Sequence, residues 1–274
     1  MFVRTVDELR ARGEEIVELD GRLRSFNLLT KADGLGFSLH DVRSAAGSEE
    51  PLWYKHHWES NYIVAGTGSV EEVSTGRVWP LGPGDTFVVG PEDRHRWRAE
   101  SDVHAISIFS PPLAGDEAYD EDGSLGPSGA LPERRGTMFV KRLEELRAEG
   151  RELVVAGGRA RSIRAVLRED GVGVTLCDVN LAAGNDATLW YKHHWEANLI
   201  LDGRGAVSDL TTGERWDLAP GTIYMVGPTD RHRLVADTDL HLLSVFNPPL
   251  EGSEQHDAEG TLAASGPVPP GPPA

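Results

Sequence analysis

Short hydrophobic runs separated by turn residues recur along the whole chain. The runs NYIVAG, DTFVVG and HAISIF in the first half have the counterparts NLILDG, TIYMVG and HLLSVF in the second, and all are rich in β-branched and aromatic residues. Turn-forming stretches such as STG, GPGD and GPED lie between them at short intervals. Many short strands with frequent turns predict an all-β sandwich or small barrel.

Two segments depart from this strand pattern. VDELRARGEE and LEELRAEGRE carry strong helix-forming residues, and each has an acidic residue in its first turn, Asp7 or Glu144. Negative charge at that end of a helix is favourable because it interacts with the helix dipole. We therefore predict one short helix near the start of each half.

The two halves repeat each other at a constant offset. WYKHHWE occurs at Trp53–Glu59 and again at Trp190–Glu196, and MFV, DRHR and PPL recur with the same separation. A period of domain size indicates tandem duplication. The stretch GPSGALPERRG has the composition of a linker, and the tail GPVPPGPPA has that of a disordered segment. We predict a first repeat over residues 1–125, a linker over 126–137, a second repeat over 138–262 and a disordered tail over 263–274.

Composition and charge narrow the class of protein. The chain has 274 residues, a net charge of −17 and a single cysteine, so an intrachain disulfide is impossible. The negative charge disfavours nucleic acid or an anionic membrane surface as a partner. No apolar run reaches membrane-spanning length, and the charged N-terminal stretch lacks a secretory-signal pattern. We expect a cytoplasmic protein with a small-molecule ligand.

A glutamate and a histidine recur at a fixed separation in both repeats. Glu59 is followed by His95, and Glu196 by His232, at the same spacing. Inward-facing side chains on two strands of a small barrel can reach one cavity. A carboxylate and an imidazole suit Fe(II), Mn(II) or Zn(II). An isolated pair of this kind is more often a surface feature, but its duplication within predicted strands favours a metal site.

Each repeat resembles ectoine synthase, a member of the cupin superfamily, in motifs spread over nearly its whole length. The motifs are VRTVDELR, DGLGFSLHD, WYKHHWE, GTG, DRH, FNPPL and GSEQHDAEG. The resemblance implies two tandem cupin-type β-barrels, a bicupin. It also implies a metal-dependent cyclodehydratase, a hydro-lyase that closes N-γ-acetyl-L-2,4-diaminobutyrate or a relative to a cyclic amidine with loss of water.

The resemblance further implies a set of site residues in the second repeat. The implied metal ligands are Glu196, Tyr224 and His232, with Fe(II) as the expected ion and Zn(II) or Mn(II) as alternatives. The implied catalytic residues are Glu254, His256, Tyr191 and His194. The implied substrate-binding residues are Arg164, Cys177, Val179 and Phe246.

The first repeat differs from this set at three positions. Phe87 replaces the tyrosine ligand, and phenylalanine has no oxygen with which to bind a metal. Tyr119 replaces the catalytic histidine, and Asn27 replaces the arginine. We expect the working site in the second repeat and a degenerate site in the first. The degenerate site consists of Glu59, Phe87, His95 and Glu117.

The second repeat also departs from the family, at the expected walls of its pocket. Ala160 replaces a tryptophan, Val179 a threonine and Cys177 a small polar residue. Loss of a hydroxyl removes a hydrogen bond and changes which ligand is preferred. Two alternatives therefore stay open. One is a lyase, isomerase or hydrolase acting on another small amino acid derivative, and the other is a non-catalytic binder.

The duplication also predicts how the repeats associate. Single-domain members of the family pair as homodimers, so a fused chain supplies an intrachain pseudo-dimer of cupin repeats. Whether the fused chain pairs again as a homodimer stays open.

Overall fold

The structure is a computed structural model that describes residues 1–132 and 137–272. Across these residues it is all-β, with two short α-helices and four 3-10 turns. None of the helices in these ranges is long and apolar enough to cross a bilayer. Residues 133–136 of the predicted linker and 273–274 of the predicted tail lie outside the described part.

The elements follow the same order in both repeats. The strands up to residue 132 are β1 (Phe2–Thr5), β2 (Ile16–Glu18), β3 (Leu23–Leu29), β4 (Ser38–Ser44), β5 (Glu49–Leu52), β6 (Trp58–Ala65), β7 (Gly68–Glu72), β8 (Arg77–Leu81), β9 (Thr86–Val89), β10 (His95–Ala99) and β11 (Val103–Ser110). Those that follow are β12 (Phe139–Lys141), β13 (Glu152–Val155), β14 (Ala160–Val166), β15 (Thr175–Leu181), β16 (Asp186–Leu189), β17 (Trp195–Asp202), β18 (Gly205–Asp209), β19 (Arg215–Leu218), β20 (Thr222–Val226), β21 (His232–Ala236) and β22 (Leu240–Asn247). The 3-10 turns are Leu19–Gly21, Lys31–Asp33, Ala156–Gly158 and Arg168–Asp170.

The predicted helices are present near the start of each repeat. They are α1 (Val6–Ala11) and α2 (Leu143–Ala148). Each ends before the glycine in its predicted segment, Gly13 or Gly150, which adopts a positive φ. A glycine in this conformation terminates helical hydrogen bonding, so the helices are shorter than their helix-forming composition suggests.

The chain forms two compact units. The first-repeat unit contains Leu9–Leu143, and the second-repeat unit contains Met1–Glu8 together with Glu144–Gly271. In the first-repeat unit the strand orders of the two sheets are β12-β9-β6-β11-β4-β3-β2 and β5-β10-β7-β8. In the second-repeat unit they are β1-β20-β17-β22-β15-β14-β13 and β16-β21-β18-β19. Each unit thus pairs a seven-stranded with a four-stranded sheet.

The hydrophobic core of each unit lies between its two sheets. In the first-repeat unit, Ile63 on β6 and Val70 on β7 belong to one buried cluster. In the second-repeat unit, Ile200 on β17 and Val207 on β18 do the same. Because side chains alternate across a strand, the inward positions of both sheets enclose a common interior.

The strand ladder does not close into a complete barrel in either unit, as far as the described residues extend. The chain passes from one sheet to the other through turns, as between Ser44 at the end of β4 and Glu49 at the start of β5. The predicted all-β architecture of two repeats is confirmed. Each of the two predicted cupin-type units consists of two facing sheets, because ladder pairing stops at these turns.

The first strand of each repeat completes the sheet of the other repeat. Strand β1 pairs with β20, with Val3 opposite Tyr224, and β12 pairs with β9, with Val140 opposite Phe87. Met1 and Val3 pack against the core of the second-repeat unit. The added strands cover backbone edges that would otherwise be open. The compact units therefore differ from the repeats in their first residues, and the predicted domain boundaries stay a prediction.

The last described residues form neither helix nor strand, yet they contact the second repeat. Trp195 Nε1 donates a hydrogen bond to the carbonyl oxygen of Pro269 (3.0 Å), and His194 Nε2 lies 3.0 Å from Ser265 Oγ. The disordered tail expected over 263–274 stays a prediction, although Ser265 and Pro269 make these two contacts. A proline-rich segment has no periodicity, so its sequence does not indicate contacts with residues far back along the chain.

We expect Val3→Asp to lower the free energy of unfolding of the second-repeat unit by roughly 2 kcal/mol, because it places a carboxylate against an apolar core. Urea unfolding followed by tryptophan fluorescence measures the change. Val154→Asp is the matched control, since Val154 is exposed on β13 at the opposite edge of the same sheet. Equal losses from both variants would contradict a structural role for β1.

Candidate active site

Three adjacent strands place polar side chains around one cavity in the second-repeat unit. Asn198 on β17 lies opposite both Tyr224 on β20 and Ser244 on β22. Glu196, two residues before Asn198, lies opposite Phe246. Because alternate residues of a strand share a face, these side chains point to the same interior. All five line a cavity of ≈ 370 Å³.

His232 approaches this group from the facing sheet, at the start of β21. Its side chain is 0% exposed, and its ring centroid lies 6.4 Å from that of Tyr224 and 5.9 Å from that of Tyr191. Nδ1 lies 3.1 Å from the carbonyl oxygen of Asp230, to which only a protonated Nδ1 can donate. The lone pair is then on Nε2, which is buried and has no hydrogen-bond partner among the described residues. A histidine oriented in this way through Nδ1 has the arrangement of a metal ligand.

The electrostatics of the site favour a bound cation. Burial raises the pKa of Glu196 to about 7, although Asn198 and Ser244 act against the rise. Burial and the negative charge of Glu196 raise the pKa of the Tyr224 phenol well above its ordinary value. A positive ion among these groups would favour the ionised forms of both side chains. Carboxylate, phenol and imidazole donors therefore fit a divalent metal.

The third predicted metal ligand is a tyrosine, Tyr224. Within residues 1–132 and 137–272, no group of three or more His, Cys, Asp and Glu side chains is placed to hold a metal ion. Glu196 and His232 are two predicted donors of these types, and Tyr224 is the third member of the predicted set. Its role as a ligand stays a prediction, at the position where the first repeat has Phe87.

Arg164, which lines the cavity, forms a buried ion pair with Glu254, which is not among the lining residues in the described part of the chain. Arg164 Nη1 donates to Glu254 Oε2 (2.9 Å) and Nη2 donates to the Glu254 carbonyl oxygen (2.7 Å). The two side chains are only 6% and 7% exposed. Burial acts to raise the pKa of Glu254, but hydrogen bonds from backbone amides and the charge of Arg164 outweigh it and lower the pKa. Glu254 is therefore held as an anion.

Tyr191 and His256, both predicted catalytic residues, form a second pair in the site. The Tyr191 hydroxyl lies 3.0 Å from His256 Nε2, and both residues line the cavity. Tyr191 is buried, whereas His256 is exposed. Partial burial and the positive charge of Arg164 lower the pKa of His256, and burial raises the pKa of Tyr191 well above its ordinary value. Both groups are thus neutral near pH 7.

The remaining predicted substrate-binding residues make an apolar wall. Cys177, Val179 and Phe246 line the cavity, and so does Ala160. Burial raises the pKa of the Cys177 thiol to about 12, although Arg164 acts against the rise. The thiol is therefore neutral and inert as a nucleophile.

His194, like Glu254, is a predicted catalytic residue that does not line the cavity within the described part of the chain. Its ring packs edge-on against Phe246 at 6.2 Å, and Ser265 Oγ lies 3.0 Å from its Nε2. The catalytic role of His194 stays a prediction, and its contacts are those of a residue that supports Phe246.

The corresponding cavity of the first repeat is smaller, at ≈ 140 Å³, and its predicted site residues Glu59, Phe87, His95 and Glu117 all line it. Phe87 stacks on Trp97 with ring centroids 5.9 Å apart and an interplanar angle of 11°. At the position of the predicted tyrosine ligand, the first repeat therefore has a phenylalanine that is part of an aromatic stack.

The other replacements in the first repeat form their own hydrogen bonds. The Asn27 side chain donates to the carbonyl oxygen of Gly115 (3.1 Å), and its oxygen lies 2.7 Å from His40 Nδ1. The hydroxyls of Tyr54 and Tyr119 lie 3.4 Å apart, in the position of the tyrosine–histidine pair. The side chains that replace the predicted site residues in the first repeat therefore make contacts of their own.

Sequence reasoning missed several residues that line these cavities. Asn198 and Ser244 were not singled out, although their counterparts Asn61 and Ser107 keep the same offset. Glu50 was also missed, and its counterpart in the second repeat is an alanine. A residue-by-residue comparison of the repeats reveals that Asn198 and Ser244 are repeated and that Glu50 is not. Only the fold shows that these positions face the cavities.

The sequence profile of the ectoine synthase family matches the chain twice, over residues 1–128 and 138–265. The chain is similar to L-ectoine synthase of Desulfatibacillum aliphaticivorans, with 39% identity over 124 residues, covering 45% of this chain and 95% of that protein. It is also similar to L-ectoine synthase of Halomonas elongata, with 34% identity over 135 residues, covering 49% of this chain and 98% of that protein. These relatives therefore correspond in length to one repeat.

Solved structures support the fold. The chain is similar to Lactobacillus farciminis oxalate decarboxylase in complex with formate, with a TM-score of 0.67 at 12% identity, covering 92% of this chain and 87% of that one. It is also similar to Bacillus subtilis oxalate decarboxylase, with a TM-score of 0.66 at 13% identity, covering 92% and 78%. At this identity the similarity concerns the fold alone, and it confirms the predicted bicupin.

We expect Arg164→Asn to lower the free energy of unfolding by roughly 3 kcal/mol, because it leaves the buried Glu254 carboxylate without its cation. Arg168→Asn is the matched control. Arg168 also lies 2.9 Å from a glutamate, Glu251, but that pair is exposed and should contribute less than about 1 kcal/mol. Urea unfolding of both variants measures the difference, and similar values would contradict the importance of burial at Arg164.

Proposed function

The chain belongs to the ectoine synthase family, and we propose that its activity resides in the cavity of the second repeat. It is a cyclodehydratase, a carbon–oxygen lyase that closes N-γ-acetyl-L-2,4-diaminobutyrate or a relative to a cyclic amidine with loss of water. One contrast between the two repeats supports this location of the active site. Tyr224 lies beside Glu196 and His232 in the second repeat, whereas Phe87 stacks on Trp97 in the first.

The proposed metal ligands are Glu196, Tyr224 and His232. The buried Nε2 of His232, which has no hydrogen-bond partner in the part of the chain that the structure describes, supports this assignment. The pKa of the Glu196 carboxyl, which is raised mainly by burial, supports it as well. We propose Fe(II) as the ion, with Zn(II) or Mn(II) compatible with the same donor types. When bound, the ion supplies Lewis acidity that polarises the acetamide carbonyl of the substrate.

Arg164 is proposed to bind the substrate carboxylate. Its guanidinium lines the cavity and is a strong donor to carboxylates. The ion pair with Glu254 fixes its position, and Glu254 is in turn held by the backbone amides of Glu251 and Gly252. In this assignment Glu254 is a positioning residue. Burial acts to raise its pKa, but the backbone hydrogen bonds outweigh burial and lower it. A carboxyl group with a lowered pKa is a poor acid.

Proton transfer is assigned to Tyr191 and His256. The substrate's neutral α-amine forms a bond to the acetamide carbon, and the carbonyl oxygen departs as water. Both protons of the amine nitrogen end on that oxygen, so a group beside the reacting atoms must take and return protons. The Tyr191 hydroxyl lies at the cavity wall, and neutral His256 lies 3.0 Å behind it as the acceptor. The exposed His256 also connects the pair to solvent.

The walls of the cavity favour a bulkier substrate as a second candidate. Ala160, Cys177 and Val179 present small or apolar groups, and the volume of ≈ 370 Å³ leaves room beyond them. An N-acyl diaminobutyrate with an acyl group longer than acetyl would fill this space without an additional hydrogen-bond partner. The reaction would be the same, and only the group carried by the carbonyl carbon would change.

We expect the purified chain with Fe(II) under anaerobic conditions to convert N-γ-acetyl-L-2,4-diaminobutyrate, or its longer acyl homologue, to a product lighter by one water. Mass spectrometry measures the product. Glu196→Gln should lower turnover by roughly a hundredfold or more, because it removes a charged ligand from the site. Glu59→Gln, the same change in the first repeat, should leave most of the activity. Equal losses from the two variants would contradict the assignment to the second repeat.

We expect Tyr224→Phe to weaken metal binding by roughly tenfold or more, since it removes one of three proposed protein ligands. Metal content after dialysis against a graded chelator measures this loss. Tyr191→Phe provides the contrast, because it removes the proposed proton-transfer hydroxyl but no ligand. It should retain the metal and lose turnover. Retention of metal by Tyr224→Phe at wild-type affinity would show that the tyrosine is not a ligand.

A further inference from the structure

We propose that the cavity of the first repeat binds a small aliphatic diamine as its dication. This inference goes beyond the cyclodehydratase activity and does not depend on it, because it concerns a different cavity with a different set of charged residues. It gives the degenerate repeat a ligand of its own.

The first cavity has become more acidic than the second. Glu18 and Glu50 line it, and their counterparts at the same offset are Val155 and Ala187. The arginine of the second cavity is replaced by Asn27. With Glu59 and Glu117, four carboxylates line the first cavity. No arginine or lysine accompanies them among its lining residues in the described part of the chain. Such a wall attracts cations and repels the carboxylate of an amino acid.

One of these carboxylates has an unused acceptor. Glu50 is only 8% exposed, and its Oε1 is buried without a hydrogen-bond partner among the described residues. Burial, with the neighbouring charge of Glu18, raises the pKa of Glu50 to about 7. A buried acceptor left unpaired is costly. An ammonium group in the cavity would donate to it and offset that cost.

Aromatic rings supply the remaining surface for a cation. Tyr54, Phe109, Trp97 and Tyr119 line the same cavity. Tyr54 packs edge-on against Phe109, with ring centroids 5.2 Å apart. Rings of this kind attract ammonium groups through their faces and also cover the methylene groups of an alkyl chain. Carboxylates together with aromatic rings therefore fit an alkylammonium ligand rather than a hydrated metal ion.

The size of the cavity limits the ligand to a short chain. Its volume of ≈ 140 Å³ is close to that of an engineered cavity of about 150 Å³ that holds benzene. A second pocket of ≈ 210 Å³ shares Glu18, Glu50 and Tyr119 with it and adds Glu49. We assign one ammonium group to Glu59 and the other to Glu18 and Glu50, and the small volume limits the chain between them to about three or four carbons. This matches 1,3-diaminopropane and 1,4-diaminobutane.

Isothermal titration calorimetry of the full chain with 1,3-diaminopropane tests the proposal. The matched probe is 2,4-diaminobutyrate, which is 1,3-diaminopropane with a carboxylate on one terminal carbon. We expect one diamine bound per chain and binding of the amino acid weaker by at least about tenfold. Glu50→Gln should weaken diamine binding by roughly thirtyfold, since it removes one partner of a buried charge pair. Glu50→Ala and Glu18→Val, which install the residues of the second repeat, should weaken it similarly.

The controls separate this site from general charge effects and from the active site. Glu100→Gln removes one exposed negative charge from the same unit and should leave diamine binding unchanged. Thermal unfolding of each variant checks that it is folded, and cyclodehydratase turnover should survive Glu50→Gln. Three results would overturn the proposal. They are no diamine binding up to millimolar concentration, binding insensitive to Glu50→Gln, and tighter binding of the amino acid than of the diamine.

Discussion

A buried carboxylate at the same position of each repeat, Glu59 or Glu196, is the constraint around which both cavities are built. Removing a charged carboxylate from water is costly unless hydrogen bonds or positive charge replace its hydration. Burial raises the pKa of both residues to about 7, although Asn and Ser side chains beside them act against the rise. Each repeat must therefore attract a cation or protonate its glutamate. In the second repeat Tyr224 and His232 lie near this glutamate, as the proposed metal site requires, whereas in the first repeat aromatic rings and further carboxylates line the same cavity.

The frame that holds this carboxylate is nearly identical in the two repeats. In each, the first tryptophan of WYKHHWE donates from Nε1 to a proline carbonyl oxygen at 2.8 Å, and the second histidine lies within 3.0 Å of a serine hydroxyl. An asparagine and a serine beside the glutamate also bond to each other in both. Most of the duplicated motif is therefore structural, and within it the tyrosine and the glutamate line the cavity. This explains how the motif persists while other residues that line the two cavities differ.

The sequence predicted those parts of the molecule that depend on local pattern or on direct comparison of the repeats. Short strands and two helices follow from residue type and turn composition, and Phe87 is identified by its offset from Tyr224. The exchange of β1 and β12 was not predictable, because its hydrogen bonds join backbone groups far apart in the chain and Phe2–Thr5 carries no special pattern. Glu50 was missed for a related reason. A glutamate in a short strand is ordinarily exposed, and only the pairing of β5 with β10 brings it to the cavity.

The strand exchange explains why the first repeat persists although its site has changed. In a homodimer of single repeats, a substitution such as tyrosine to phenylalanine would alter both sites, whereas in the fused chain it alters one. The cavity of the first repeat is therefore free to change its charge and size. Strand β1 is not free in the same way, because Val3 pairs with Tyr224 and packs on the core beneath the candidate active site. The beginning of the chain thus belongs structurally to the second repeat. The residues that line the first cavity, in contrast, are not needed to build the candidate active site.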